Sequence, residues 1–183
     1  KNNSGNSRQT IVDLEYIEKR EPPTPPPDPP ETPPDPVDTS WLDIITHDFD
    51  IAVIMNWESG SIADIDLHGF MGTSHVWYNN YGNDNGNEIF KLDWDWRSHI
   101  SNTNPEVMTV KGHKDESLKV YIHNFNPTPL TQPVNVRIYS KDRYKLLKEY
   151  NINLPNNRVD MIGVCSIDLN TLVITDLNDT KRF

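Results

Sequence analysis

Residues 62–68 read IADIDLH, and residues 91–96 read KLDWDW. In both stretches polar and apolar residues alternate, which is the period of a strand with one face against a core and the other away from it. Asp64, Asp66 and His68 share one face of the first segment, beside Ile65 and Leu67. Asp93 and Asp95 share one face of the second, beside Leu92, Trp94 and Trp96. The plain expectation is two hydrated acidic faces. The sharper one is that the two rows converge on a cation, because like charges gathered in one patch are unfavourable without an opposite charge.

The rest of the chain continues the pattern. From Trp41 onward short alternating segments are separated by Gly, Asn, Asp and Pro turns, and strands are expected at 50–57, 62–68, 74–78, 88–93, 106–111, 117–124, 133–140, 144–152, 159–168 and 171–175. The fold class read from this is all-β: a β-sandwich of eight to ten strands, jelly-roll or Ig-like, over residues 39–183. Such a length buries a core without disulfides or a structural metal.

Two segments precede that domain. Residues 1–21 comprise a polar end and a short apolar peptide in which Ile11, Val12, Leu14, Tyr16 and Ile17 are candidate partner-binding residues. Residues 22–38 form a proline-rich spacer, with ten prolines between Pro22 and Pro36. A run of this kind is excluded from helices and sheet interiors and favours polyproline II, at about 3 Å per residue. An anchor peptide on a stiff rod suits a tether that displays the domain on a larger protein assembly through residues 1–40.

Charge narrows the function further. The 183 residues carry a formal net charge of −10, which disfavours a nucleic-acid partner. Between Asp43 and Glu106 stand 11 acidic residues against Lys91 and Arg97, whereas the segment after Glu106 is net basic. The single cysteine, Cys165, lies in an apolar strand and reads as a core atom; it excludes an intrachain disulfide and a cysteine-rich zinc site. No apolar run is long enough for a membrane span. No signal-peptide pattern opens the chain, and Lys1 in place of Met is expected of a processed or partial polypeptide.

Several landmarks in order resemble the YfaP-like family of uncharacterised bacterial and phage-associated domains. The run IADIDLHGFMGTSHVWYNN is similar to that family's acidic D-x-D-L-H strand, turn and H-V-x-Y strand; KLDWD, NPEVMTV, SLKVYIHNFN and PVNVRIYSKD follow in the family's order, over about residues 51–140. The resemblance implies a β-sandwich without established catalytic activity, attached to surface, secreted or phage-derived proteins and related in style to the accessory domains that follow secreted peptidases, some of which bind calcium through Asp-rich segments. This sequence departs from the pattern at Asn104, where the family has Gly, and at Gly69–Gly72, where it has a P-x-G turn.

The candidate metal ligands are Asp64, Asp66, Asp93 and Asp95, with Glu106 in addition, and the candidate ion is Ca2+, which accepts six to eight oxygen donors. The Asn-rich loop at 79–88 lacks the spacing of an EF-hand and reads as a polar hairpin in which Gly82 and Gly86 supply positive φ. Zinc held by Asp66, His68 and His75 across a hairpin is a further option. Trp77, Trp94 and Trp96 are candidate platforms for sugar rings. The leading expectation is a non-catalytic structural or interaction module on a larger surface or virion assembly, extracellular or at the cell surface. Its alternatives are a calcium-dependent carbohydrate-binding module and, third, a polysaccharide hydrolase, which the hydrated look of the acids disfavours.

Overall fold

A computed structural model describes residues 39–100 and 104–183. The expected anchor peptide, with Ile11, Val12, Leu14, Tyr16 and Ile17, and the proline-rich spacer lie outside the described residues.

The described residues form an all-β fold of two antiparallel sheets in contact. The strands are β1 (Ile51–Asn56), β2 (Ile65–Met71), β3 (Ser74–Val76), β4 (Gly82–Asp84), β5 (Ile89–Trp94), β6 (Glu106–Lys111), β7 (Ser117–Asn124), β8 (Val134–Ser140), β9 (Lys145–Ile152), β10 (Asp160–Asp168), β11 (Ile174–Asp176) and β12 (Thr180–Arg182). One sheet has the order β4-β5-β6-β1-β8-β9, the other β11-β10-β7-β2-β3, with β12 also pairing β10. Each expected strand overlaps an observed one. The short β4 and β12 were not expected, nor were the 3-10 helices at Ser40–Ile44 and Asp142–Tyr144.

Alternation builds the main core. Ile51, Val53 and Met55 of β1, Ile65 and Leu67 of β2, Met108 and Val110 of β6, and Leu118, Val120 and Ile122 of β7 meet between the sheets. Strand β1 is apolar on both faces for a reason: Ala52 and Ile54 point the other way, into a smaller cluster with Trp41, Phe49, Val107 and Tyr139. That cluster is roofed by the 3-10 helix that opens the described chain. Gly69 marks a close approach between the sheets, since a Cβ there would stand 2.5 Å from Met108 Sδ and 2.9 Å from Phe90.

The outer face of β2 is not hydrated, which corrects the plain expectation from IADIDLH. Asp66 and His68 are buried, because aromatic side chains cover that face: Trp77 lies over His68, and Phe183 stacks on His123 of the neighbouring strand.

Candidate metal centre

Strand β3 pairs only with Gly69–Met71 of β2, so the first half of β2 presents backbone donors on that side to something other than a strand. Glu106, the first residue of β6 in the opposite sheet, reaches across to fill the gap. Its Oε2 accepts the Leu67 N–H at 2.9 Å, and its Oε1 accepts the Trp96 N–H at 3.3 Å. Glu106 is fully buried. Burial, with the charges of Asp66 and Asp95, holds its carboxyl well above the usual carboxylate range, against the pull of those two backbone donors.

Asp66, Asp95 and Glu106 each bring a carboxylate oxygen within 4.8 Å of the others. Beside them opens a cavity of about 280 Å³ lined by Asp64, Asp66, Asp95, Arg97, Tyr78 and Phe125. Burial and the charges of Asp66 and Asp95 push the Asp64 carboxyl up to about 7, with Arg97 and His123 opposing. Asp95 is raised by burial and by Asp66, again with Arg97 opposing. Burial also raises Asp66, against the pull of His123 and Arg158. These carboxylates are therefore partly desolvated and repel one another, contrary to the expectation that they are hydrated. A divalent cation among them would remove both penalties.

Asp66 also faces a second group. In the β2–β7 register it lies opposite His123, and His68 is two residues along the same face. Asp66, His68 and His123 are buried and offer ligand atoms within 4.8 Å of one another. His68 is joined to His75 by a 2.9 Å contact between Nδ1 and Nε2, and the His75 ring stacks on Trp77. Desolvation pushes the imidazole of His68 down to about 2 and that of His75 to about 4, assisted by neighbouring cationic groups.

Of the residues expected from sequence, Asp64, Asp66, Asp95 and Glu106 are brought together, and Asp93 is not. The β5–β6 register shifts between Leu92 and Trp94, which turns Asp93 to the outer side of its sheet. There it accepts a hydrogen bond from the Thr109 hydroxyl at 2.6 Å and pairs with His47 Nε2 at 2.7 Å. His75 sits behind His68, and the imidazole beside Asp66 is that of His123, which sequence reasoning missed. Finding it requires knowing that β2 pairs with β7. Arg97, Tyr78 and Phe125 were missed for the same reason.

The three tryptophans are spread apart from the cavity. Trp77 is packed among His68, His75 and Phe183. Trp94 is 46% exposed, with its ring 5.6 Å from that of Trp96, while Trp96 packs on the main core. The Asn-rich loop spends its side chains on itself: Asp84 Oδ1 accepts the Gly86 N–H, and Asn85 Oδ1 accepts the N–H groups of Asn87 and Glu88. Gly82, which opens β4, and Gly86, in the turn between β4 and β5, have φ of 81° each.

The class these observations define is an all-β domain of two packed antiparallel sheets, carrying a carboxylate cluster and an imidazole cluster joined at Asp66. No protein-family model and no curated protein matches the sequence.

Proposed function

We propose that this domain is a cation-dependent binding module in which calcium, held by Asp66, Asp95 and Glu106 with Asp64 at the rim, presents open coordination positions to a carbohydrate. The observation that carries the reading is the convergence of three carboxylates within 4.8 Å of one another, two of which, Asp66 and Asp95, line one cavity while Glu106 is buried behind them. An all-oxygen donor set suits calcium, whose large and flexible shell takes mixed carboxylate, carbonyl, water and hydroxyl donors. Vicinal hydroxyls of a sugar are donors of that kind. Tyr78 and Phe125, with ring centroids 5.4 Å apart, line the same cavity and offer the apolar wall on which a sugar face packs. Arg97 supplies a hydrogen-bond fork at the rim.

The close spacing supports a cation over a hydrolytic pair. A glycosidase works with two carboxyl groups on either side of the scissile bond, whereas here three carboxylates gather in one cluster. The test is a glycan array with and without calcium, with calcium titrated separately by calorimetry. Calcium-dependent retention of glycans supports the reading. Calcium binding without glycan retention removes the carbohydrate half, absence of calcium binding removes both, and release of reducing sugar assigns the pocket to hydrolysis.

The proline-rich composition of residues 22–38 favours a second, compatible role: display of this jelly-roll or Ig-like domain on a larger surface or virion assembly, in the manner implied by the resemblance to YfaP-like domains. Deleting residues 1–40 and measuring retention in the native assembly tests it; unchanged retention removes the role.

A further inference from the structure

The cluster on the other side of Asp66 has the donor chemistry of a different ion. We propose that Asp66, His68 and His123 form a site for a borderline-soft divalent metal, with zinc as its ion, which shares Asp66 with the oxygen-rich calcium site.

Three buried polar atoms there have no hydrogen-bond partner: Asp66 Oδ2, His68 Nε2 and His123 Nδ1. Leaving one such atom unsatisfied is costly, and three facing one another need a common explanation. The other nitrogen of each ring is occupied. His123 Nε2 lies 2.9 Å from the Arg158 carbonyl, an acceptor only, so this nitrogen carries a proton and, in the neutral imidazole, Nδ1 is the lone pair. His68 Nδ1 meets His75 Nε2 at 2.9 Å; when His68 donates, its Nε2 is a second lone pair. Metal-bound imidazoles are held in this manner, with the distal N–H fixed by a carbonyl or another acceptor. His75 is thus a positioning residue.

The spacing fits a shared ion better than a direct hydrogen bond. His123 Nδ1 and Asp66 Oδ2 are 3.7 Å apart, longer than a hydrogen bond but near the edge of a zinc tetrahedron, about 3.4 Å for bonds of about 2.0–2.1 Å. Two imidazole nitrogens and one carboxylate oxygen are a zinc donor set, and calcium does not choose nitrogen. Trp77 and Phe183 wall the two rings from solvent. Asp66 also lines the acidic cavity, which gives the ion an entry path and a direction for its fourth ligand.

The experiment uses the full chain freed of metal by a chelator. Zinc is titrated by calorimetry, and cobalt is used as a coloured substitute whose visible absorption reports a four- or five-coordinate shell. One zinc per chain is expected, with cobalt colour displaced by zinc. His68→Ala and His123→Ala should each lower zinc affinity by at least about 100-fold, and His75→Phe by about 10–100-fold. Asp64→Asn and Asp95→Asn should leave zinc binding intact while weakening the calcium response, so failure of the two sites is distinguishable. Should a histidine variant not fold, X-ray absorption on the zinc-loaded unmodified chain decides through its imidazole scattering. Absence of zinc binding, binding that survives in both folded histidine variants, or a shell without imidazole would overturn the proposal.

Discussion

Glu106 Oε2 accepts the backbone N–H of Leu67 at 2.9 Å, joining the first residue of β6 to the open edge of β2 in the other sheet. The carboxylate takes the place of a missing neighbouring strand, and its second oxygen does the same for Trp96. Removing it leaves two backbone donors without partners and a gap between the sheets. Glu106→Ala should therefore destabilise the domain by about 2–4 kcal/mol, the cost of unpaired buried donors plus a small cavity. Urea unfolding followed by tryptophan fluorescence measures this, and a loss under 1 kcal/mol would mean that water replaces the carboxylate without penalty.

Asp93 and Asp95 differ by one register shift. Asp93 serves a network with His47 and Thr109, whereas Asp95 faces Asp66 and Glu106. Asp93→Asn should lower stability by about 1 kcal/mol through weakened charge-assisted bonds and leave any calcium response unchanged. Asp95→Asn should do the reverse, weakening the response with little loss of stability. Thermal melts of the two variants with and without calcium compare them directly. Equal responses would show that the bulge does not separate the two acids.

The same shift explains what the sequence could and could not disclose. Alternation and turn residues are local, so IADIDLH, KLDWDW and the other apolar-polar runs mark strands within a few residues. A bulge adds one residue to one strand and breaks the alternation beyond it, with no signature in KLDWDW that distinguishes Asp93 from Asp95. Pairing is non-local: that His123 stands opposite Asp66 depends on β2 lying beside β7, which the spacing of the two segments does not encode. Burial of the polar face of β2 likewise depends on Phe183 and Trp77, remote in the chain from His123 and held there by tertiary packing. By contrast, β4 and β12 escaped notice because three residues such as GND or TKR carry no period at all.

Cys165 was legible as a core residue, and its surroundings make that reading quantitative. It is fully buried in β10, and burial raises its thiol from 9.0 to about 12, with Asp176 adding and Tyr150 and Lys148 opposing. The folded value lies above the unfolded one, so this group's contribution to stability is intact below pH 9 and is lost as pH rises toward 12. At pH 8 the native thiol should react with a thiolate-selective reagent roughly 1,000-fold more slowly than in the denatured chain. Following labelling in buffer and in guanidinium checks it; rapid stoichiometric labelling of the native protein would show that β10 opens.

The last prediction concerns the acids themselves. In the metal-free protein Asp64, Asp66, Asp95 and Glu106 all have carboxyls raised by burial, and each but Asp66 is raised further by a neighbouring charge. Their ionisation opposes folding near neutral pH, and a bound cation would reverse the sign. Calcium at 100 times its Kd should add about 2.7 kcal/mol, which for a domain of this size raises Tm by roughly 5–10 °C. Asp64→Asn combined with Asp95→Asn should abolish most of that rise and, by relieving repulsion, leave the metal-free Tm unchanged or slightly higher. A merely structural role for the two acids predicts the opposite, a lower metal-free Tm. Magnesium should stabilise less, because it demands a small octahedral shell and gives up its waters reluctantly. Scanning calorimetry in calcium, magnesium and chelator at fixed ionic strength separates these outcomes. Superimposable melts in all three would leave the cluster as buried acids that hold no cation.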